Sequence, residues 1–367
     1  MPSSSTTATA TTVVPLAVAA AAVIATTSIA TIIGLIGGYY YRSITSINDR
    51  ELKTLKVPKT LLQSEYKEEL KLAIQLAMEA GSNMMEYLEA KGTIAEEKLD
   101  LGIEIKTNST DFCTNIDIKN EKLIIDGIRR KFPNHDIIGE ESVGTNTIPT
   151  MKKSIPTWII DPIDGTTNFA TGLHSLTCVS IGYCIEGQPV LGVIYAPYTN
   201  ELYIGVKGYG SYRNGVRIYQ NPITSTKTLK NAIVCNEMGY TRDENELDTL
   251  FNAQKQIMLH DTHGCKGFRQ LGSGCLDLCY VASGRLDICY AGLCTEGWKP
   301  WDYCAGLIIV KEAGCYMESI YDTDNNNNDN DNESSFDIYG KSVICAVSKD
   351  LLDELRSVIL TSSTSSS

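Results

Sequence analysis

The chain has 367 residues, 43% of them hydrophobic and 21% charged, and a net charge of −12. That composition supplies core enough for one large or two ordinary domains and excludes a wholly disordered chain. The acidic balance excludes nucleic acid as a partner, which requires a basic face to replace counterions around the phosphates; small anions need a metal or backbone N–H groups.

No charged side chain occurs from Met1 to Tyr41. Residues 1–12 are expected to be disordered, and the apolar run 13–38 exceeds the roughly 20 residues that cross a bilayer, so it predicts one membrane anchor. Arg42, Arg50, Lys53, Lys56 and Lys59 follow it, which places the remainder of a single-pass protein in the cytosol. A cleaved signal peptide is disfavoured by the missing basic start, and a transit peptide by the missing arginines. Twelve cysteines without a C-x-x-C pair sit mostly in apolar runs and read as reduced, packed thiols.

Residues 39–64 read as a juxtamembrane linker broken by Pro58, with the folded domain over 65–360. The first helix is predicted within 64–91, where Leu70, Ala73, Ile74, Ala77, Met84, Met85 and Leu88 recur at helical spacing. A second helix is predicted from Ile118 to Phe132, turning Ile124, Ile128 and Phe132 inward and stopped by Pro133. From Asp136 the pattern changes to strands: DIIGEE, TWIIDP, LTCVSIGYCI, VLGVIYAP, ELYIGVKG and GSYRNGVRIY, the last turning at Asn214-Gly215. Helical signals return in GCLDLCYVASG and DYCAGLIIVKEAG, giving layered α and β in one domain. The asparagine-rich stretch 322–335 reads as a solvated insertion and 361–367 as a disordered tail.

The chemistry concentrates in WIIDPIDGTTNF, residues 158–169. An apolar strand ends at Asp161, Pro162 fixes the next turn, and Asp164 emerges from it. Two carboxylates held so close raise each other's pKa unless a divalent cation lies between them, and oxygen ligands favour magnesium over zinc. Gly165 allows close backbone approach, while Thr166 and Thr167 offer hydroxyls and N–H groups for a phosphate. Alone, the same residues would also make an Asp-rich turn with a Thr cap. Two further acidic stretches shift the balance: Glu140 and Glu141 after a short strand, and Asp302 at a helix start.

GEES, WIIDPIDGTTNF and PWDYCAG, in that order, resemble the signatures of the inositol monophosphatase family, and YAPYTNELYIGVKGYGSYRNGVRI resembles its central hairpins. The resemblance covers roughly residues 65–355. It implies an α+β layered (αβαβα) sugar-phosphatase-like fold and lithium-sensitive hydrolysis of phosphate monoesters. It also implies two or three Mg2+ ions held by Glu140, Asp161, the carbonyl of Ile163, Asp164 and Asp302. By the same resemblance Glu140 with Thr166 activates the attacking water, with Asp164 beside them. Lys106, Asp111, Thr114 and Asp117 support the site. Substrate contacts are expected from Gly165, Thr166, Thr167, Gly272, Ser273 and Gly274.

Relatives acting on inositol phosphates carry a Glu about two helical turns of sequence before the Trp-Asp pair. Here Ala291 or Thr295 stands at the corresponding position, with Glu296 nearby as a substitute. The expected substrate is therefore a small phosphate ester, myo-inositol monophosphate first. Histidinol phosphate, a sugar phosphate or 3′-phosphoadenosine phosphate are alternatives, and a catalytically silent tethered binding protein is a reading of another class. A homodimer is implied by the resemblance only.

Overall fold

The computed structural model describes residues 55–93, 101–108, 111–220, 227–259, 264–321 and 336–364. The expected membrane segment 13–38, most of the linker and the insertion 322–335 lie outside them. Among the described residues no helix is long and apolar enough to cross a membrane.

The order is α1 (Lys67–Ala90), β1 (Glu104–Asn108), β2 (Asp111–Cys113), α2 (Asn115–Lys131), β3 (Asp136–Gly139), α3 (Glu140–Val143), β4 (Thr157–Asp164) and α4 (Thr166–Thr171). There follow β5 (Cys178–Ile185), β6 (Gln188–Ala196), β7 (Glu201–Val206), β8 (Gly210–Arg213), β9 (Val216–Ile218) and β10 (Ile233–Glu237). The last part holds α5 (Glu244–Met258), β11 (Gly267–Arg269), α6 (Gly274–Ala282), β12 (Ile288–Ala291), α7 (Pro300–Glu312), β13 (Tyr316–Glu318), β14 (Val343–Ala346) and α8 (Lys349–Thr364).

Strands β3 to β9 form one seven-stranded sheet in sequence order, parallel only at β3–β4. A second sheet has the order β11-β10-β12-β14-β13. Helices α1 and α2 cover one face of the large sheet, and α6 with α7 lie against its other face and the small sheet. Helices α5 and α8 pack together on the far side of the small sheet, completing a mixed α+β layering. Both faces of the large sheet are thus covered. On β4, Trp158 and Ile160 face the first layer and Ile159 the second, so the strand is apolar throughout instead of alternating with polar residues.

A row of small residues seats α7. Gly182, Gly192 and Gly205 are cross-strand partners on β5, β6 and β7, and Ser211 continues the row on β8. A Cβ at Gly192 would overlap the Ala305 carbonyl oxygen, and one at Gly205 would lie 2.8 Å from the Ile309 backbone. Ser211 donates its hydroxyl to the Ile309 carbonyl at 2.6 Å. The helix therefore sits directly on the sheet backbone, and its first turn carries Asp302 toward the end of β4.

Several boundaries differ from expectation. Helix α2 starts at Asn115, three residues before Ile118, because Thr114 and Asp117 close a capping box; Ile118 faces outward, 41% exposed. Strand β4 runs through Pro162 to Asp164 with a register irregularity between Asp161 and Asp164, whereas a turn after Asp161 was expected. The end of the linker packs on the domain: Val57 and Leu61 are buried against α1 and α2. Helix α8 continues to Thr364, inside the tail expected to be disordered from 361, its buried face carried by Leu351, Leu352, Leu355, Val358 and Ile359. All twelve cysteines are free thiols, ten of them buried.

Candidate active site

Strand β4, the turn into α4 and the first turn of α7 bring Asp161, Asp164 and Asp302 together, with a carboxylate oxygen of each within 4.8 Å of the others. Asp161 accepts the Ile163 N–H at 2.9 Å, which occupies the amide released where the ladder shifts register. Asp302 lies third in α7, behind Pro300 at its start, and accepts the Lys299 N–H at 2.7 Å. Asp164 accepts from the Ser273 hydroxyl, from the Cys275 N–H at 3.0 Å and from the Cys178 thiol at 3.6 Å.

This grouping is electrostatically unfavourable by itself. Burial, then the charges of Glu140 and Asp164, hold the Asp161 carboxyl well above the usual carboxylate range. Burial, then Asp164 and Glu140, do the same to Asp302. Asp164 is pushed up by burial to about 6 even though three donors oppose the rise. A divalent cation relieves all three. The donor set fits magnesium: Cys178 and Cys275 flank Asp164, but burial pushes both thiols up, Cys178 to about 12, leaving carboxylate oxygens as the available ligands.

Glu140 and Glu141 open the single turn α3. Helix α2 places that turn: the Glu121 carboxylate accepts the Glu141 N–H at 2.7 Å and the Ser142 N–H at 2.6 Å. Gly139 is required beside it, since a Cβ there would lie 2.7 Å from the Glu121 carboxyl carbon. Lys106 on β1 bonds Glu140 at 2.7 Å and Glu141 at 2.9 Å. Burial opposes the Lys106 charge, yet the two carboxylates outweigh it and raise its pKa. Burial and then Glu140 push Glu141 up to about 8.

Thr166 contacts both Asp117, 3.2 Å from its hydroxyl, and the Ile163 carbonyl at 3.0 Å. Thr114 caps α2 and donates its N–H to Asp117 at 2.9 Å. Asp117 is fully buried and pushed up by that burial to about 6. Asp111, on β2, belongs to the same short β1–β2 pair as Lys106. Gly165 has φ +84°, and a Cβ there would lie 2.7 Å from the Leu176 carbonyl and 3.1 Å from that of Gly272. The glycine thus lets two loops meet beneath the aspartates.

Gly272 and Ser273 lie beneath Asp164, where the Ser273 hydroxyl orients the carboxylate and Glu237 accepts the Leu271 and Gly272 N–H groups, each at 2.8 Å. Gly274 starts α6 against the Trp298 ring, 2.8 Å from where its Cβ would be. Glu296 accepts the Tyr240 N–H at 2.7 Å. Thr167 lies in the first turn of α4, exposed to solvent.

Sequence reasoning missed Glu121, Glu237 and Asn168. The Asn168 amide donates to the carbonyls of Leu176, Leu271 and Gly272 at 3.0, 2.8 and 3.1 Å, tying the two loops together. A signal existed for Glu121: Asp117 and Glu121 are acids four apart on the buried side of an amphipathic helix, where acids need partners.

Fold and site define a metal-dependent phosphatase of the layered α+β kind. The sequence matches the profile of the inositol monophosphatase family over residues 65–361, and the chain belongs to that family. It is 31% identical to inositol monophosphatase 1 of Sus scrofa, over 80% of this chain and 95% of that protein. It is 38% identical to Nus factor SuhB of Pasteurella multocida, over 67% and 82% of the two chains. The Thermotoga maritima IMPase structure superposes with a TM-score of 0.62 at 29% identity, covering 81% of this chain and 99% of the other. The family depends on metal, generally Mg2+, and this chain is a hydrolase of phosphate monoesters.

Proposed function

We propose that the chain hydrolyses the phosphate ester of a small polyol, myo-inositol monophosphate foremost, with two or three Mg2+ ions at Glu140, Asp161, the Ile163 carbonyl, Asp164 and Asp302. The observation that carries this reading is the convergence of buried Asp161 and Asp164 with half-buried Asp302 beside a turn that offers Thr166 and Thr167. Magnesium bound there supplies Lewis-acid charge that offsets the charge gathering on the phosphoryl and leaving oxygens.

The chain's own residues orient the reaction. In this reading Glu140 accepts a proton from the water that attacks phosphorus, and Thr166 is held by Asp117 so that its hydroxyl has a fixed direction. In-line attack forms the new P–O bond as the ester P–O bond breaks, and the departing alkoxide takes a proton from solvent. The Thr166 and Thr167 backbone N–H groups at the α4 start would receive the phosphate oxygens. No protein nucleophile is required, in keeping with a cluster of carboxylates and hydroxyls.

We also propose a homodimer held to a membrane through residues 13–38, with the catalytic domain in the cytosol. The apolar run and the basic residues after it support the anchor and its orientation, and the dimer is carried over from the family resemblance alone. Phosphate release by the full chain on inositol, histidinol, sugar and 3′-phosphoadenosine phosphates, with Mg2+ and against Asp164→Asn, tests the reaction. Faster turnover of histidinol phosphate would overturn the inositol assignment, and equal release by the variant would favour a silent binding protein. Carbonate release of the full chain from membranes would remove the anchor.

A further inference from the structure

A second group of acids, with no part in the metal cluster, lies behind the segment that orients Asp164. It consists of Cys235 and Glu237 on β10 and Asp277 on α6, with a sulfur or carboxylate oxygen of each within 4.8 Å of the others. The Cys235 thiol donates to Asp277 Oδ1 at 3.4 Å, while Glu237 Oε1 accepts the Leu271 and Gly272 N–H groups, each at 2.8 Å. Asp277 is wholly buried, and its Oδ2 has no hydrogen-bond donor among the described residues.

That bare oxygen decides what the group holds. An ionised Asp277 would leave a charged oxygen unpaired in the interior, an arrangement that folded proteins avoid. A neutral acid needs only an acceptor, and the Glu237 carboxylate is within hydrogen-bond reach. The charge belongs on Glu237, which two backbone N–H groups serve, whereas Asp277 has one weak thiol donor. A cation suits the group less well: Glu237 Oε1 is committed to two donors, and burial pushes the Cys235 thiol up, so no thiolate is offered. Burial, then the Glu237 charge, hold the Asp277 carboxyl above its usual range, and Cys235, Cys289 on β12 and Asp164 on β4 are further titratable groups facing it.

Resting on the phosphatase reading for its effect on turnover, we propose that Asp277 is a positioning residue that keeps its proton and hydrogen-bonds Glu237 with it, so that Glu237 holds the 271–272 backbone beneath Asp164. The Asn168 amide grips the carbonyls of Leu271 and Gly272 at 2.8 and 3.1 Å. The segment is thereby fixed at both its N–H and its carbonyl groups, and Ser273 directly after it donates to Asp164. A proton buried at Asp277 thus reaches the metal site through hydrogen bonds alone.

The test uses the full chain with Mg2+. Infrared difference spectra of wild type against Asp277→Asn at neutral pH are expected to contain the C=O stretch of a carboxylic acid, shifted in heavy water and lost in the variant. Asparagine keeps a donor for Glu237 and an acceptor for Cys235. Asp277→Asn should therefore retain kcat/KM on myo-inositol monophosphate within about threefold, whereas Asp277→Leu, of similar size without a donor, should lose about tenfold. Absence of the carboxylic-acid band overturns the proposal, as does an Asn variant that misfolds or loses as much as Leu, or a Leu variant as active as wild type. A Zn2+ or Mg2+ ion bound in wild type and lost in Cys235→Ser would put a cation in the place of the proton and overturn it too. Inactivity of the wild type removes the phosphatase reading and the effect on turnover with it, while the infrared band still decides the Asp277 proton.

Discussion

Asp164→Asn should make the metal-free protein more stable while abolishing its activity. In the metal-free state burial lifts the Asp164 carboxyl from an ordinary 3.8 to about 6. A raised carboxyl pKa means that folding carries no penalty below the unfolded value and acquires one as pH rises through the folded value. At pH 7 the difference corresponds to about 3 kcal/mol opposing folding. Asparagine keeps the shape and an acceptor for Ser273 and Cys275 without the charge, so urea denaturation in EDTA at pH 7 should show a gain of about 2–3 kcal/mol. Magnesium should reverse the order, because wild type gains about 2.7 kcal/mol at a hundredfold excess over Kd and the variant gains little. A variant less stable than wild type in EDTA, or equally stabilised by Mg2+, would refute the claim that Asp164 is held against its neighbours for a cation.

Ser273→Ala should raise the Mg2+ concentration for half-maximal phosphate release about tenfold, because the hydroxyl orients Asp164 from behind. Gly192→Val should cost about 3 kcal/mol in urea denaturation and lower activity, since even a Cβ overlaps Ala305 and displaces the helix that carries Asp302. His135 accepts from Trp158 Nε1 at 3.1 Å and stacks on Phe132, and burial lowers its pKa from 6.5. Its contribution is present above 6.5 and lost as pH falls. His135→Phe should therefore narrow the stability difference between pH 7 and pH 5 when both proteins are measured with Mg2+, and an unchanged difference would exclude the role.

The sequence by itself determined the motifs and most of the elements around them. Asp161, Asp164 and Gly165 lie within five residues, so their grouping is local and legible, and the helical spacing of Leu70 through Leu88 predicts α1 because its other face meets water. Short β10 and β12 escaped detection because each is largely buried in a sheet assembled from distant segments, which leaves no alternation to read. That Asp302, 138 residues beyond Asp164, joins it was implied by the family resemblance, and only the tertiary structure shows how. The cause is a row of side-chain-poor positions on three strands that admits α7 to the sheet backbone. Only the fold brings the Glu121 carboxylate to the turn that carries Glu140, because hydrogen bonds between residues far apart in sequence obey geometry that no spacing records. The sequence carries the charges of the site, and the packing fixes which of them meet.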